Sequence, residues 1–137
     1  MGIRRQGREL ALTYLYQLDL GVESPETLEA AIARDGMGSV KVRDFASSRA
    51  RGVWEHLKEI DALLTAHLEH WKLDRLTRED RGLLRLGVFE IVFDPEVPPK
   101  VAINEAVEIG RKFGGESSAK FVNGVLDGVL HSRRRAP

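Results

Sequence analysis

The 137-residue chain has no cysteine, five prolines, two tryptophans and no excess of either charge, with 21 basic and 21 acidic residues. Without cysteine there is no disulfide framework and no thiolate zinc site. Without a charge excess, the chain is not built to coat nucleic acid through bulk electrostatics, although a local basic patch is still compatible. No apolar run approaches a membrane span, and Met1 to Leu20 lacks the uninterrupted apolar stretch of a secretion signal. A soluble, cytoplasmic protein with no membrane partner is expected. Its length suits one domain, 1–137, with a sizeable core.

Strand patterning is also missing. No segment sustains two-residue alternation, and nearly every segment carries the helical period. An all-α chain of six or seven helices with short connections follows. The first runs from about Arg4 to Leu20 and stops near Gly21. "SPETLEAAIA" carries a start signal, with Ser24 as N-cap, Pro25 at the first helical position and Glu26 in the first turn. Gly36 and Gly38 break the chain in "DGMGS". The stretch from Val42 to Trp71 exceeds the usual helix length and is expected in two pieces. "LTREDRGLLRLGVFEIVF" restarts with Thr77 as N-cap and Asp80 three residues on, close to a capping box. "DPEVPP" ends it. "KVAINEAVEIGRKFGG" follows, with Gly114 at the C′ position, and "ESSAKFVNGVLDGVLHSRRR" closes the chain.

Three arginines crowd the start of the first helix. At 100° per residue, Arg4, Arg5 and Arg8 fall within an arc of roughly 100°. Cations are mildly unfavourable at a helix N-terminus, and Glu9 answers only part of that charge. A solvated helix end is the plain reading. A phosphate site is the functional one, because arginine binds phosphate bidentately. Leu10, Ala11, Leu12, Tyr14, Leu15, Tyr16 and Leu18 make the rest of the helix apolar nearly all round. Such a helix is central in a bundle or has a second face covered by a partner.

The last helix has a core stripe of Val122, Val125, Leu126 and Val129. Ser117, Gly124 and Gly128 fall on the side of Phe121. Two helical glycines cost about 1 kcal/mol each relative to alanine, so each wants a reason. Close approach of another helix is one. A shallow groove in which a flat ring lies on Phe121 is the other, since aromatic side chains are platforms for unstacked RNA bases. Lys120 stands beside Phe121, Arg111 and Lys112 lie upstream, and Arg133, Arg134 and Arg135 form a basic, solvated tail.

These residues carry a family likeness. "VAINEAVEIGRKFGGESSAKFVNGVLDGV" closely resembles the NusB family of transcription antitermination factors. "RRQGRELALTYLYQLDL" and "RGLLRLGVFEIVFDPEVPPK" resemble that family's other blocks, in the same order, over about half the chain. The resemblance implies two packed three-helix subdomains in a single NusB-like RNA-binding domain. It implies binding to boxA, a single-stranded segment of nascent RNA that includes ribosomal RNA leaders. It also implies a complex with the small-subunit ribosomal protein that acts as NusE, and an indirect effect on the RNA polymerase elongation complex. By the same resemblance, Arg4, Arg5, Arg8, Ser117, Lys120 and Phe121 are expected at the RNA. Leu12, Tyr16 and Asp80 are expected at the ribosomal-protein interface. Gln6 and Gly7 depart from more basic or alanine residues in the family, and Ser117 stands where an acid is frequent. Asn104 and Asn123 are expected to cap or bridge helices.

No catalytic constellation emerges, and neither an enzyme nor a cofactor is expected. His67 and His70 are spaced for shared metal ligation, but no further ligand accompanies them, so no metal is expected. Glu79 and Asp80 do not share a helix face. The alternatives are a helical adaptor, a homodimer that hides its RNA face, and a detached NusB-like domain of a ribosomal RNA cytosine methyltransferase. The last needs a nucleophilic cysteine and a cofactor domain that this sequence does not contain.

Overall fold

The computed structural model describes residues 2–21, 26, 27, 30 and 38–135. Among the described residues there are five α-helices, one 3-10 turn and no strand. They are α1 (Ile3–Asp19), α2 (Val40–Glu55), α3 (Leu57–His67), the turn Leu73–Arg75, α4 (Arg78–Phe93) and α5 (Pro99–Arg135). The all-α class agrees with the sequence, but the helices are fewer than six or seven. One cause is that α5 is counted as one element although its backbone is non-helical at Gly115 (φ 77°, ψ −167°), where the two helices expected from the sequence meet. The other is the helix expected after Ser24 and Pro25, most of which lies outside the described residues. The left-handed residue at the bend is Gly115 rather than Gly114. Gly114 is held by space instead, since a Cβ there would lie 2.7 Å from Cβ of Ser118.

The chain divides into two compact units, Met1–Glu55 and His56–Pro137. In the first unit, α1 buries Ala11, Tyr14, Leu15 and Leu18. Its end is set by Gly21 at φ 72°, whose N–H donates to the Leu18 carbonyl. Ser39 opens α2, its Oγ accepting the Val42 N–H at 3.2 Å. Val42, Ala46, Ala50 and Val53 then form the buried stripe at helical spacing. The two helices meet closely at Gly7, where an added Cβ would lie 2.6 Å from Cδ2 of Phe45.

In the second unit, α3 buries Ile60 and Leu64, and α4 is buried on most sides through Leu83, Leu84, Leu86 and Val88. The expected break in the long third stretch falls at His56, whose ring stacks on Phe93 at 4.0 Å between centroids. Arg85 and Asp61 join α4 to α3 by two parallel hydrogen bonds, each 2.9 Å. The final stripe is as read from the sequence, with Val122, Val125, Leu126 and Val129 all buried. Leu126 fills the space that a side chain at Gly87 would need, and His67 approaches Gly128. Close helix approach therefore explains Gly128, whereas a Cβ at Gly124 would meet nothing within 4 Å.

Candidate nucleic-acid interface

At the start of α1, the three arginines do not behave alike. Phe45 of α2 gathers two of them, Arg4 and Arg8, together with Arg49 of its own helix: their guanidinium carbons lie 5.7, 5.3 and 4.4 Å from its ring centroid. Each distance is within cation–π range. Arg4 is exposed and Arg5 half-buried, but Arg8 is only 2% exposed. The expectation of three solvent-facing arginines is corrected at Arg8. Its position packs it into the first unit, because the i+4 step from Arg4 turns it onto Phe45. No acid stands in the first turn of α1, and no side chain caps it. Cationic charge is thus concentrated at a helix start that disfavours it, a setting that an anion relieves. Further along α1, Leu12 is half-buried and Tyr16 is 37% exposed.

In the second unit a cleft of about 350 Å³ brings together two stretches distant in sequence, 71–80 and 117–121. Trp71 and Arg75 come from around the 3-10 turn. Leu76, Thr77 and Asp80 come from the entry to α4, and Ser117, Ser118 and Phe121 from α5 beyond its bend. The entry is fixed by Thr77, whose Oγ1 accepts the Asp80 N–H at 3.1 Å. The reciprocal half of a capping box does not form. The turn is pinned from behind by Arg81, whose Nη1 lies 3.3 to 3.5 Å from the carbonyl oxygens of Leu73, Asp74 and Leu76. On the α5 side, Arg111 bonds both Glu108 and Glu116, spanning the bend at Gly115. These two carboxylates hold the exposed Arg111 guanidinium above its ordinary pKa, Glu108 contributing most.

Of the residues singled out in sequence, the cleft joins Ser117 and Phe121 with Asp80. Residues expected at RNA and a residue expected at a protein partner therefore share one wall. Lys120 is exposed but does not line the cleft, being one residue and 100° of helix away from Phe121. Leu12 and Tyr16 belong to the other unit. Trp71, Arg75 and Ser118 were not anticipated. The signal for Trp71 is a large aromatic set among charges in "LEHWKLDR", and it is 59% exposed. Asn104 and Asn123, expected to cap or bridge helices, are instead exposed in mid-helix and make no hydrogen bond among the described residues. His67 bonds through Nδ1 to the Leu63 carbonyl at 2.9 Å. No group of three or more His, Asp or Glu side chains suited to a metal occurs among the described residues. Nor, among them, is any helix long and apolar enough to cross a membrane.

The cleft offers two aromatic side chains, one cation, one carboxylate and several hydroxyls, with no nucleophile paired to a base.

Comparison with known proteins identifies the family. The NusB family model matches residues 5–131. A transcription antitermination protein NusB of Myxococcus xanthus is 47% identical over 133 residues, covering 94% of this chain and 95% of the relative. Its relatives are antitermination proteins rather than enzymes. The solved NusB of T. maritima superimposes with a TM-score of 0.80 at 36% identity, covering 98% of this chain and 93% of that one. A structure of the antitermination factors NusB and NusE in complex with dsRNA gives a TM-score of 0.82 at 30% identity, covering 96% and 98%. The chain belongs to the NusB family.

Proposed function

We propose that this chain binds boxA, a single-stranded segment of nascent RNA, together with the ribosomal protein that acts as NusE, and so supports transcription of ribosomal RNA. The observation that carries the proposal is the cleft in which Phe121 and Trp71 stand beside Arg75 and Ser117. Unpaired bases are recognised by stacking on aromatic side chains and by hydrogen bonds to their edges. The cleft supplies both. Arg4, Arg5 and Lys120 supply salt-dependent attraction to phosphates, with Arg8 holding Phe45 and Arg4 in place. Ser117, where the family often has an acid, leaves the cleft without a second carboxylate.

The exposed Tyr16 and half-buried Leu12 of the first unit, and Asp80 of the second, are the residues offered to the NusE-like partner. We read the chain as a single NusB-like domain in which the units Met1–Glu55 and His56–Pro137 stand for the two subdomains that the resemblance implies. The complex acts on the elongating polymerase indirectly, in the cytoplasm. The similar structure of NusB and NusE in complex with dsRNA supports NusE and RNA as the classes of partner.

Size-exclusion chromatography of the chain with purified NusE-type ribosomal protein and a boxA oligonucleotide tests the proposal. Co-elution of all three components as one species is expected. Elution of the chain as a self-dimer that excludes both would replace it with the homodimer alternative.

A further inference from the structure

We infer that Arg81, which does not itself line the cleft, is the positioning residue that holds the Trp71–Arg75 wall in place for RNA. The inference rests on the RNA reading above and adds the group that preorganises the site.

The wall has no core of its own. From 69 to 77, Leu73 and Leu76 are half-buried and every other residue is exposed. No residue of the 3-10 turn Leu73–Arg75 is buried. Segments with so little buried apolar surface open at low free energy. The Arg75 N–H donates to the Lys72 carbonyl and the Leu76 N–H to the Leu73 carbonyl. These bonds set the shape of the turn, not its place against α4.

Arg81 supplies that tie. Its backbone N–H donates to the Thr77 carbonyl at 2.9 Å, which fixes it in the first turn of α4. Positive charge there works against the helix dipole. The side chain turns back, and its Nη1 reaches the carbonyl oxygens of Leu73, Leu76 and Asp74 at 3.4, 3.3 and 3.5 Å. Carbonyls at the end of a helical turn lack a following N–H and need other donors. One guanidinium nitrogen shared among three of them binds the turn as a unit. Trp71 precedes that turn and Arg75 ends it, so the same clasp sets where an aromatic ring and a cation meet a base. A stacking ring already in place spares binding the cost of ordering it.

The test uses the full chain, a labelled boxA oligonucleotide, and the variants Arg81→Met and Arg81→Lys. Arg81→Met keeps an apolar stem and removes the donor. It is expected to weaken boxA binding about fivefold, the cost of ordering a loosened side chain, with an unfolding temperature close to wild type. Arg81→Lys keeps the charge and is expected to lose less. The salt slope should not change, because Arg81 holds carbonyls rather than phosphate. In a chain that already carries Trp71→Ala and Arg75→Ala, Arg81→Met should change the affinity by less than about twofold. With Trp54→Phe leaving Trp71 as the sole tryptophan, Arg81→Met is also expected to lower the emission anisotropy of Trp71 in the free protein.

Equal losses in both backgrounds, an unchanged Trp71 anisotropy, or a salt slope reduced by about 0.7 overturn the inference, since Arg81 would then act through stability or on phosphate directly. Wild-type affinity in Arg81→Met beside weakened binding in Trp71→Ala overturns it and leaves the cleft reading standing. A loss confined to the NusE-type protein assigns Arg81 to the protein interface and also overturns it. Wild-type affinity in the chain lacking both Trp71 and Arg75 overturns the inference together with the reading beneath it.

Discussion

The ring of Phe45 stands 2.6 Å, at Cδ2, from the place a Cβ on Gly7 would occupy. Alanine favours a helix over glycine by about 1 kcal/mol. Here that preference loses, because overpacking a tight contact costs about 1–3 kcal/mol. Gly7→Ala is expected to lower the urea midpoint. Phe45→Leu in the same chain should recover part of the loss, a coupling that a double-mutant cycle measures.

Arg4 and Arg8 share that ring but differ in exposure, so their substitutions should separate. Arg4→Ala removes an exposed cation. It is expected to weaken boxA and scrambled RNA alike and to reduce the log–log salt slope by about 0.7. Arg8→Ala removes a buried stem and guanidinium, and is expected to lower the unfolding temperature first. Salt-dependent anisotropy and thermal unfolding of both variants check the pair. An unchanged unfolding temperature in Arg8→Ala would return Arg8 to the exposed patch.

Thr77 closes the first turn of α4 through a single side-chain bond. Thr77→Ala is expected to cost about 1 kcal/mol in chemical denaturation, and Thr77→Ser to restore most of it. Equal stability of all three would mean that the Asp80 N–H finds another acceptor.

The cleft places Trp71 opposite no residue that sequence alone had linked to it. Trp71→Ala is expected to weaken RNA binding by about 1–3 kcal/mol, the range for loss of one base-stacking side chain. An isothermal titration with a boxA oligonucleotide reads this directly, and wild-type affinity in the variant would place the bases elsewhere.

Much of the fold was legible because helix period and stop signals are local. Val122, Val125, Leu126 and Val129 mark their buried face by spacing alone, and Thr77 marks a helix start by its chemistry. What sequence missed depends on tertiary approach. Arg8 reads as a surface cation until Phe45, on another helix, covers it. Glu90 is 1% exposed within α4, and nothing in its neighbours announces that burial. The bend falls at Gly115, which takes the positive φ, while the adjacent Gly114 is kept small by Ser118, and two neighbouring glycines look alike in sequence. In the cleft, Phe121 and Ser117 were readable from one helical face, whereas the cap motif marked Asp80 only as part of a helix start and the resemblance placed it at the ribosomal-protein interface. Their meeting with Trp71 and Arg75 was not readable, because it requires α4 and α5 to be packed side by side.

The most direct measurement is a fluorescence-anisotropy titration of wild type and Phe121→Ala against boxA RNA and a scrambled control, each with and without the NusE-type protein. A cleft that reads unpaired bases predicts that wild type prefers boxA, that the partner strengthens the preference, and that Phe121→Ala weakens boxA more than the scrambled RNA. Equal loss on both RNAs, or no loss on either, would mean that Phe121 only packs and that the cleft is not where RNA is read.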